Sequence, residues 1–342
     1  MESLENAIAK IKEEMPQVDL REHESMREHC SFRLGGEVRA FIVPKDVWDM
    51  SKVFFILHHF DVAPLMVGRC TNLIIPEEGL DICVVSTEGL QGLRMGEAEN
   101  TVYAEAGVSL ARVAQFAQQK GLAGLEFASG IPGSVGGGVL MNAGAYGGEM
   151  KDVVDSVVLY FLTDQALTEV KGEDAGFAYR HSNFENIPCA ILGAVFKLTP
   201  DDPQAIAERM KEINDKRRAK QPLDMPSAGS AFKRPETGYA AAFIDQAGLK
   251  GYSVGGAQVS EKHAGFVVNT GNATYDDVVA LMDHVRREVY DKFKVTLMPE
   301  IRIYPKGMIL VDGWRRQKSN IMEAMAETAR AKVDEAKKNG ED

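Results

Sequence analysis

The sequence predicts a protein that mixes α-helices and β-strands and contains two or three domains. The chain has 342 residues, of which 45% are hydrophobic, and this is enough for more than one buried core. Short apolar runs with strand character alternate with amphipathic segments of helical period up to about residue 200. Beyond that point a further segment has helices, strands and apolar residues of its own. We therefore place a domain boundary near residue 200.

The composition narrows the class of protein. The formal net charge of −11 argues against a general nucleic-acid binder, which needs a basic face. The four cysteines lack C-x-x-C spacing, which favours free thiols in a reducing compartment over a disulfide framework or a metal site. The first residues do not have the pattern of a signal peptide, and no apolar run is long enough to span a bilayer. We expect a cytoplasmic protein without a metal, a membrane partner or a nucleic-acid partner.

The first part of the chain predicts alternating helices and strands. Apolar residues at helical spacing predict a short helix over 4–14. Asp46 is placed to cap a second helix, and Ser109 to cap a third that Gly121 ends. The other predicted elements of this part are, in order, a strand at 38–43, the capped helix at 47–59, and strands at 62–67, 73–75, 82–85 and 102–106.

The second part predicts a strand, a polar and aromatic loop, and a further strand, at 155–162, 177–184 and 190–198. Asp202 and Pro203 then begin a strong helix that ends at Lys220.

The third segment predicts a core of its own. Thr237 is placed to cap a short helix that ends near Gly248, and Thr274 to cap a long one. The strands predicted here are 265–268 and a closing strand at 295–304, and a separate helix is predicted at 319–338.

The densest glycine run of the chain spans residues 130–147, which we call the long glycine stretch. Glycine lets the backbone approach a ligand closely, and successive bare N–H groups can converge on a phosphate. Ser134 and Asn142 add side-chain donors to this span. A tight loop packed between two sheets is the alternative. The turn Gly68–Asn72, which we call the first glycine turn, follows a predicted strand and is a second, weaker candidate for a phosphate contact.

Four groups of side chains are candidates for chemistry. Arg180 lies between aromatic residues and can hold a carboxylate, or it can pair with a surface acid. Ser230 follows a glycine and is either a reactive hydroxyl or a turn serine. Glu300 stands in a predicted strand, where acids are uncommon, although an edge strand can expose one. The fourth group is a basic cluster, which can attract a phosphate or only complement a helix dipole: Lys216, Arg217, Arg218 and Lys220.

Eight blocks of the sequence are informative together. They are HCSFRLGG (29–36), VGRCTNLII (67–75), GLEFASGIPGSVGGGVLMNAGAYGGE (124–149), FAYRHSNF (177–184), RRAKQP (217–222), SAGSAFKRP (227–235), GAQVSEKHAGFVVNTGNAT (256–274) and MPEIRIY (298–304). In this order they resemble the UDP-N-acetylenolpyruvoylglucosamine reductases, flavin enzymes of peptidoglycan precursor synthesis. The short gap between the Tyr-Arg and Gly-Ser motifs resembles the type that lacks an extra tyrosine-bearing loop.

The resemblance implies an α+β fold, with a two-part FAD-binding domain of the vanillyl-alcohol-oxidase type and a C-terminal substrate domain. The implied spans are 1–85 and 86–200 for the FAD-binding subdomains, 201–305 for the substrate domain and 306–342 for a partly helical extension. It also implies non-covalent FAD, NADPH as reductant and UDP-N-acetylglucosamine enolpyruvate as substrate.

The same resemblance implies site residues. Arg180, Ser230 and Glu300 correspond to the catalytic residues, and Lys220 and Tyr179 to substrate contacts. The implied FAD contacts are Gly68, Arg69, Cys70, Thr71, Asn72, Ser129, Gly130, Ile131, Gly133, Ser134, Gly137, Asn142 and Gly144. The chain departs from the family pattern in two ways: Cys70 stands where a small residue, usually glycine, is found, and Arg234 replaces an asparagine.

Two other functions remain open from the sequence. One is an oxidase with the same FAD fold that acts on another alcohol or sugar, and the C-terminal Ser230 and Glu300 motifs argue against it. The other is a sugar-nucleotide-binding protein without turnover, and the intact set of Arg180, Ser230 and Glu300 argues against that.

Overall fold

The structure is a computed structural model that describes residues 2–308. The helices of this part are α1 (Glu2–Glu14), α2 (Val47–His59), α3 (Leu110–Gln119), α4 (Val135–Leu140), α5 (Pro203–Lys220), α6 (Ala240–Gln246) and α7 (Tyr275–Phe293). Its strands are β1 (Asp19–Ser25), β2 (Glu37–Val43), β3 (Pro64–Val67), β4 (Leu73–Ile74), β5 (Leu80–Ser86), β6 (Leu93–Met95), β7 (Thr101–Glu105), β8 (Leu122–Ala123), β9 (Gly144–Ala145), β10 (Gly148–Glu149), β11 (Val154–Phe161), β12 (Ala166–Lys171), β13 (Cys189–Lys197), β14 (Thr199–Pro200), β15 (Ser227–Ser230), β16 (Ser253–Val254), β17 (Ala257–Val259), β18 (Phe266–Asn269) and β19 (Arg302–Ile303). The helix predicted at 319–338 lies outside the described residues.

A four-stranded sheet with α1 and α2 forms the first unit. Its strand order is β1-β2-β5-β3, and β5 runs parallel to both of its neighbours. The helices cover one face because their apolar residues recur at helical spacing, so that Ile11 and Phe54 are buried. Asp46 caps α2 by accepting a hydrogen bond from the Asp49 N–H at 2.9 Å, as predicted. The sequence does not predict β1, because most of its residues are polar and exposed.

A five-stranded antiparallel sheet forms the second unit. Its strand order is β12-β11-β13-β7-β6, and α3 and α4 contribute to the same hydrophobic core. Ser109 caps α3 as predicted. Asp202 caps α5, also as predicted, and α5 packs on α3 and on the turn at 126–130. This packing carries the C-terminal end of α5 to the long glycine stretch, where Arg217 is buried.

A second four-stranded sheet, β15-β18-β17-β16, forms the third unit with α6 and α7. Thr274 caps α7 in a capping box, in which its hydroxyl accepts from the Asp277 N–H and the Asp277 carboxylate accepts from the Thr274 N–H. The predicted cap at Thr237 is wrong, since α6 begins at Ala240 with Tyr239 before it. Gly238 has a φ of +139°, which prevents a helix from passing through it.

The closing strand predicted at 295–304 is wrong in its extent. Only β19 is a regular strand, and it pairs in parallel with β4 of the first part of the chain. Pro299 has no N–H for a ladder, so the chain makes one isolated bridge to Phe232 there before it crosses over. The segment 299–303, which we call the Glu300 segment, therefore joins the third unit to the first glycine turn.

Candidate active site

The first glycine turn and the long glycine stretch face each other. A Cβ atom at Gly68 would collide with the Ser134 Oγ, so only glycine lets the two loops come this close. Ser134 is 1% exposed, and its hydroxyl is a buried polar atom that has no hydrogen-bond partner among residues 2–308. A buried hydroxyl without a partner is costly. It marks a place where a bound group would supply the missing hydrogen bond.

The long glycine stretch has a packed side and an open side. It is not wholly a loop, because α4 begins immediately after Ser134. Cβ atoms at Gly136 and Gly138 would press on Ala106 and Leu110, so these two glycines serve core packing. At Gly137 the nearest atom to such a Cβ is the Ser134 Oγ, at 3.7 Å. The open side of the stretch is therefore the side on which the unpaired hydroxyl lies.

These two loops fit a dinucleotide cofactor. They offer backbone N–H groups and an unpaired hydroxyl at closely approaching backbone, which is the donor set that phosphates require. The first glycine turn contributes Arg69 and Thr71. Ile131 and Gly133 of the long glycine stretch were expected to contribute as well, but their N–H groups donate to the carbonyls of Ala128 and Ile131, so neither is a free donor for a phosphate.

Several expected cofactor contacts are limited or changed by the structure. The Cys70 thiol is buried in the core beneath the turn, where a hydrogen bond with the Cys30 thiol and burial raise its pKa. Because this thiol is buried, only the backbone of Cys70 is available to a ligand. Cys70 also has a φ of 48°, a conformation that favours glycine. The Ser129 hydroxyl donates to the Glu126 carbonyl and accepts from Asn214.

Asn142 is the clearest correction among the expected cofactor contacts. Its side chain is fully buried, and both N–H bonds of its amide are used, toward Glu149 at 2.7 Å and the Ala178 carbonyl at 2.9 Å. Its Oδ1 accepts from the Lys151 N–H. The amide therefore joins the long glycine stretch to the loop that carries Arg180, and it has no donor left for a phosphate.

Arg180 lies at the tip of a tight turn. Ala178 and His181 exchange two backbone hydrogen bonds, of 3.0 and 3.2 Å, which leaves Tyr179 and Arg180 as the two central residues. We call residues 178–181 the Arg180 turn. Arg180 has a φ of 53°, which is uncommon for a side chain of this size. Its Nε donates to the Glu300 Oε1 at 2.6 Å, and its Nη2 donates to the Gly144 carbonyl at 3.0 Å.

Glu300 is largely buried, with 14% of its side chain exposed. Burial raises the pKa of its carboxyl above the ordinary value, although the charges of Arg180 and Lys233 act in the opposite direction. Sequence reasoning did not single out Lys233, which follows Ser230 by three residues and carries a charge close to this carboxylate.

Ser230 is brought to the same place by the backbone. The Glu300 N–H donates to the carbonyl of Ala231, the residue after Ser230, at 2.9 Å. The ladder between β15 and β18 is irregular at this point, and Gly229 has a φ of +79° that directs the strand. Ser230 is exposed, so its hydroxyl is open to a ligand. The structure thus brings Arg180, Ser230 and Glu300 together from loops 50 and 70 residues apart.

Tyr179 and Lys220, the two expected substrate contacts, lie in different surroundings. The Tyr179 hydroxyl accepts a hydrogen bond from the Arg234 N–H at 3.0 Å, so it meets the third unit beside the site. Arg234 itself stacks on the Tyr239 ring, 4.2 Å from its centroid. Lys220 ends α5 and is exposed, and within residues 2–308 it makes no hydrogen bond or ion pair. Burial lowers the pKa of His263, and the charges of Lys250 and Lys220 lower it further, which places Lys220 near that ring.

Two further polar residues, Glu185 and Asn72, connect the elements of the site, and sequence reasoning missed the first of them and this role of the second. Glu185 accepts hydrogen bonds from His181 and Arg302. These pairs join residues 4 and 117 positions apart, and no local pattern predicts the second of them. Asn72 was expected to contact only a cofactor, but its amide donates to the Glu300 carbonyl at 3.2 Å.

Over residues 2–308 we find no group of three or more metal-ligating side chains close enough to hold a metal ion. In the same range, none of the helices has the length and apolar character that crossing a membrane requires. All four cysteines are free thiols.

Comparison with known proteins gives two family matches. Residues 38–164 match the model of an FAD binding domain, and residues 221–304 match the C-terminal domain of UDP-N-acetylenolpyruvoylglucosamine reductase. The enzyme of that name from Caldanaerobacter subterraneus is 43% identical over 297 residues, which are 86% of this chain and 97% of that protein. The one from Thermotoga maritima is 42% identical over 286 residues, which are 83% and 98% of the two chains.

The crystal structure of the reductase from Thermus caldophilus superposes with a TM-score of 0.71 at 30% identity, covering 84% of this chain and 99% of that one. The expected fold class is therefore confirmed. It is an FAD-binding domain of the vanillyl-alcohol-oxidase type followed by a C-terminal α+β domain.

Proposed function

The chain belongs to the UDP-N-acetylenolpyruvoylglucosamine reductase family, and we propose that Arg180, Ser230 and Glu300 carry out the reduction that gives the family its name. It is an FAD-dependent oxidoreductase of peptidoglycan precursor synthesis that forms UDP-N-acetylmuramate with NADPH as reductant. The assignment of these residues rests on one observation, the largely buried hydrogen bond between Arg180 and Glu300. The Glu300 N–H bonds Ala231, the residue after Ser230, so the end of the strand that carries Ser230 lies beside this pair.

The reaction saturates the double bond of an enolpyruvyl ether. A hydride adds to the terminal carbon and a proton to the neighbouring carbon, which carries the ether oxygen and the carboxylate. FAD supplies the hydride when it is bound. The protein must therefore stabilise negative charge on the carboxylate side of the substrate and deliver one proton to the correct carbon.

Each of the three residues suits one part of this task. Arg180 has an unused Nη1, and a fixed guanidinium in a largely buried site stabilises developing charge on a carboxylate. Ser230 has an open hydroxyl and donates the proton to the carbanion, which is a strong enough base to accept it. Glu300 orients the guanidinium through its 2.6 Å hydrogen bond.

The cofactor and nucleotide contacts follow from the same placement. The residues that would hold FAD are those of the two glycine loops, with Ser134 as the side-chain donor and Gly68, Asn72, Gly130, Gly137 and Gly144 among the close backbone positions. The unpaired Ser134 hydroxyl supports this assignment. Lys220 would face the diphosphate of UDP and Tyr179 the sugar-nucleotide, and the exposed charge of Lys220 supports its role.

We also propose the division into 1–85, 86–200, 201–305 and 306–342, and a cytoplasmic location. In support, the second and third large sheets lie within 86–200 and 201–305, and the first sheet lies within 1–85 except for Ser86, the last residue of β5. The four free thiols support a reducing compartment.

A single-turnover experiment tests the assignment of Ser230. Ser230→Ala should bind FAD and be reduced by NADPH at a near-normal rate, because that half of the reaction needs no acid toward the substrate. Reoxidation by UDP-N-acetylglucosamine enolpyruvate should slow by roughly 10²-fold or more, since a positioned acid contributes about that much. Stopped-flow flavin absorbance separates the two halves.

Ser253→Ala, an exposed serine of the same unit, is the control and should behave as wild type. Ser230→Cys should recover part of the loss. If Ser230→Ala is reoxidised at the wild-type rate, Ser230 is not the acid. The wild-type protein also discriminates the alternatives: rapid oxygen consumption with an alcohol indicates an oxidase, and binding without reoxidation indicates a non-catalytic protein.

A further inference from the structure

The carboxylate of Glu185 connects the two loops that carry Arg180 and Glu300. Its Oε2 bonds the His181 Nδ1 at 2.8 Å, and its Oε1 accepts from the Arg302 Nη2. His181 is the residue after Arg180 and closes the Arg180 turn, and Arg302 lies two residues after Glu300. The side chain of Glu185 is 21% exposed, so this is not an open surface pair.

Arg302 is fixed from other sides as well. Its N–H donates to the Asn72 carbonyl at 3.0 Å, within the first glycine turn, and its Nη2 also meets the Met141 Sδ at 3.0 Å. The Glu300 segment is therefore held at the first glycine turn by its backbone and at the Arg180 turn by the Arg302 side chain. Glu185 is the acceptor that joins this segment to the Arg180 turn beyond the direct Arg180–Glu300 hydrogen bond.

The Arg180 turn needs such a hold because Arg180 occupies an unfavourable backbone conformation. A large residue at a φ of 53° persists only where the surrounding structure determines it. The backbone hydrogen bonds between Ala178 and His181 define the turn, and the Asn142 amide holds the Ala178 side of it. The His181 side is held by Glu185.

We propose that Glu185 is a positioning residue for the reduction. Glu185 fixes the Arg180 guanidinium relative to Glu300, so that this guanidinium receives the carboxylate of the substrate. This inference rests on the proposed function. An isolated surface ion pair contributes little, but this carboxylate makes two charge-assisted contacts between loops on which two catalytic residues lie.

The proposal is tested by how well the protein distinguishes ligands with and without the carboxylate. UDP-N-acetylmuramate has it, and UDP-N-acetylglucosamine does not. In calorimetric titrations of the holoenzyme, the ratio of the two affinities should fall by about tenfold in Glu185→Ala, roughly the effect of one charged hydrogen bond. A general loosening of the fold would weaken both ligands and leave the ratio unchanged.

Two variants sharpen the test. Glu185→Gln keeps an acceptor for Arg302 and should recover part of the ratio, and it also tests the proposal if Glu185→Ala folds poorly. Glu24→Ala is the matched control, because Glu24 also bridges a histidine and an arginine, His29 and Arg21, and is 24% exposed. It should leave the ratio at the wild-type value.

An unchanged ratio in Glu185→Ala and Glu185→Gln would overturn the proposal. The proposed function fails separately. If the wild-type protein itself does not prefer the ligand with the carboxylate, the assignment of Arg180 as its binding residue is wrong, whatever the Glu185 variants do.

Discussion

The carboxyl group of Glu300 is subject to opposing effects, since burial disfavours its charge and two nearby cations favour it. The net result is a pKa raised above 4.5, which means that the folded protein holds this proton more tightly than the unfolded chain does. The contribution of this group to stability is fully present below the unfolded pKa and is lost as pH rises through the raised folded pKa.

Glu300→Gln removes this titration. Relative to wild type, the thermal unfolding midpoint of the variant should therefore rise as pH increases from about 4.5 upward, the ordinary value of the group. The comparison of two proteins at each pH cancels the titration of all other carboxylates. Glu300→Asp, which still titrates, is the control. A difference between Glu300→Gln and wild type that stays flat across this range would contradict the raised pKa.

Lys220 is predicted to serve substrate binding rather than chemistry. One lost charged hydrogen bond is worth ~1.5–3 kcal/mol, so Lys220→Ala should raise the KM for the UDP substrate roughly ten- to hundredfold. Lys216→Ala on the same helix removes a lysine that is already paired with Glu212, and it should leave this KM unchanged. Steady-state kinetics distinguish the two variants. An unchanged KM in Lys220→Ala, with NADPH oxidation alone affected, would refute the role.

Arg180, Ser230 and Glu300 could be proposed as catalytic residues from the sequence because each lies in a short block that resembles the family. Their surroundings could not be predicted. Glu185 and Arg302 are 117 positions apart, and Asn72 and Glu300 are 228 apart, so only the folded chain shows that they meet. Cys70 and Asn142 show the reverse limitation, because a polar residue within a glycine-rich loop can direct its side chain into the protein.

Among the elements, the facing glycine loops make a specific prediction about Ser134. Ser134→Ala removes a buried hydroxyl that has no partner, so the FAD-free protein should be as stable as wild type or more so. The holoenzyme loses the hydrogen bond to the cofactor, worth ~0.5–1.5 kcal/mol, so FAD should bind about two- to tenfold more weakly. Thermal unfolding of both forms and FAD titration measure this. Equal FAD affinity would place the cofactor elsewhere.

Gly68→Ala tests the close contact between the two glycine loops by a change in the first glycine turn. An added Cβ meets the Ser134 Oγ as its nearest atom, with the Ser134 Cβ at 3.6 Å. The substitution should therefore lower stability and FAD affinity in wild type, and less so when Ser134 is already alanine. A double-mutant cycle measures this dependence. Strictly additive effects would mean that the two loops do not constrain each other.

Most elements that are marked by a local feature of the sequence, such as a capping residue, were predicted correctly. Elements that depend on contacts with distant parts of the chain were not. The caps of α2, α5 and α7 are set by one side chain and the next three residues, so Asp46, Asp202 and Thr274 were recognised. In contrast, α4 contains three glycines and forms only where the fold packs two of them, Gly136 and Gly138, against Ala106 and Leu110. Strand β19 has two residues and depends on a partner more than 200 residues away.

At the scale of the whole molecule, the proposed active site belongs to no single unit. Arg180 lies on the connection between β12 and β13 of the second sheet, Ser230 ends a strand of the third, and Glu300 lies on the segment that returns to the first. Alternating elements and a change of core predicted one boundary, near residue 200, and the division of the first part into two units was implied only by the resemblance to the family. How the units meet could not be predicted, because it is decided by contacts such as Asn72 to Glu300 and Tyr179 to Arg234.

We predict that the C-terminal tail, residues 306–342, takes no part in catalysis. The family match ends at residue 304, and relatives aligned over 97% of their own length cover 86% of this chain. Lys306 pairs with Asp276 at 2.9 Å and with Glu78 at 3.6 Å, and Met308 packs under the first sheet, so the last described residues are still part of the body.

Two deletions separate these regions. Removing 309–342 should leave FAD content, turnover and the unfolding midpoint at wild-type values. Removing 306–342 should also retain turnover but lower stability slightly, because an exposed ion pair contributes ~0–1 kcal/mol. Flavin absorbance, steady-state rates and thermal unfolding measure the three properties. If removal of 309–342 causes loss of FAD or a large fall in turnover, the tail takes part in the site. The residues needed for catalysis would then not be confined to the blocks that resemble the family.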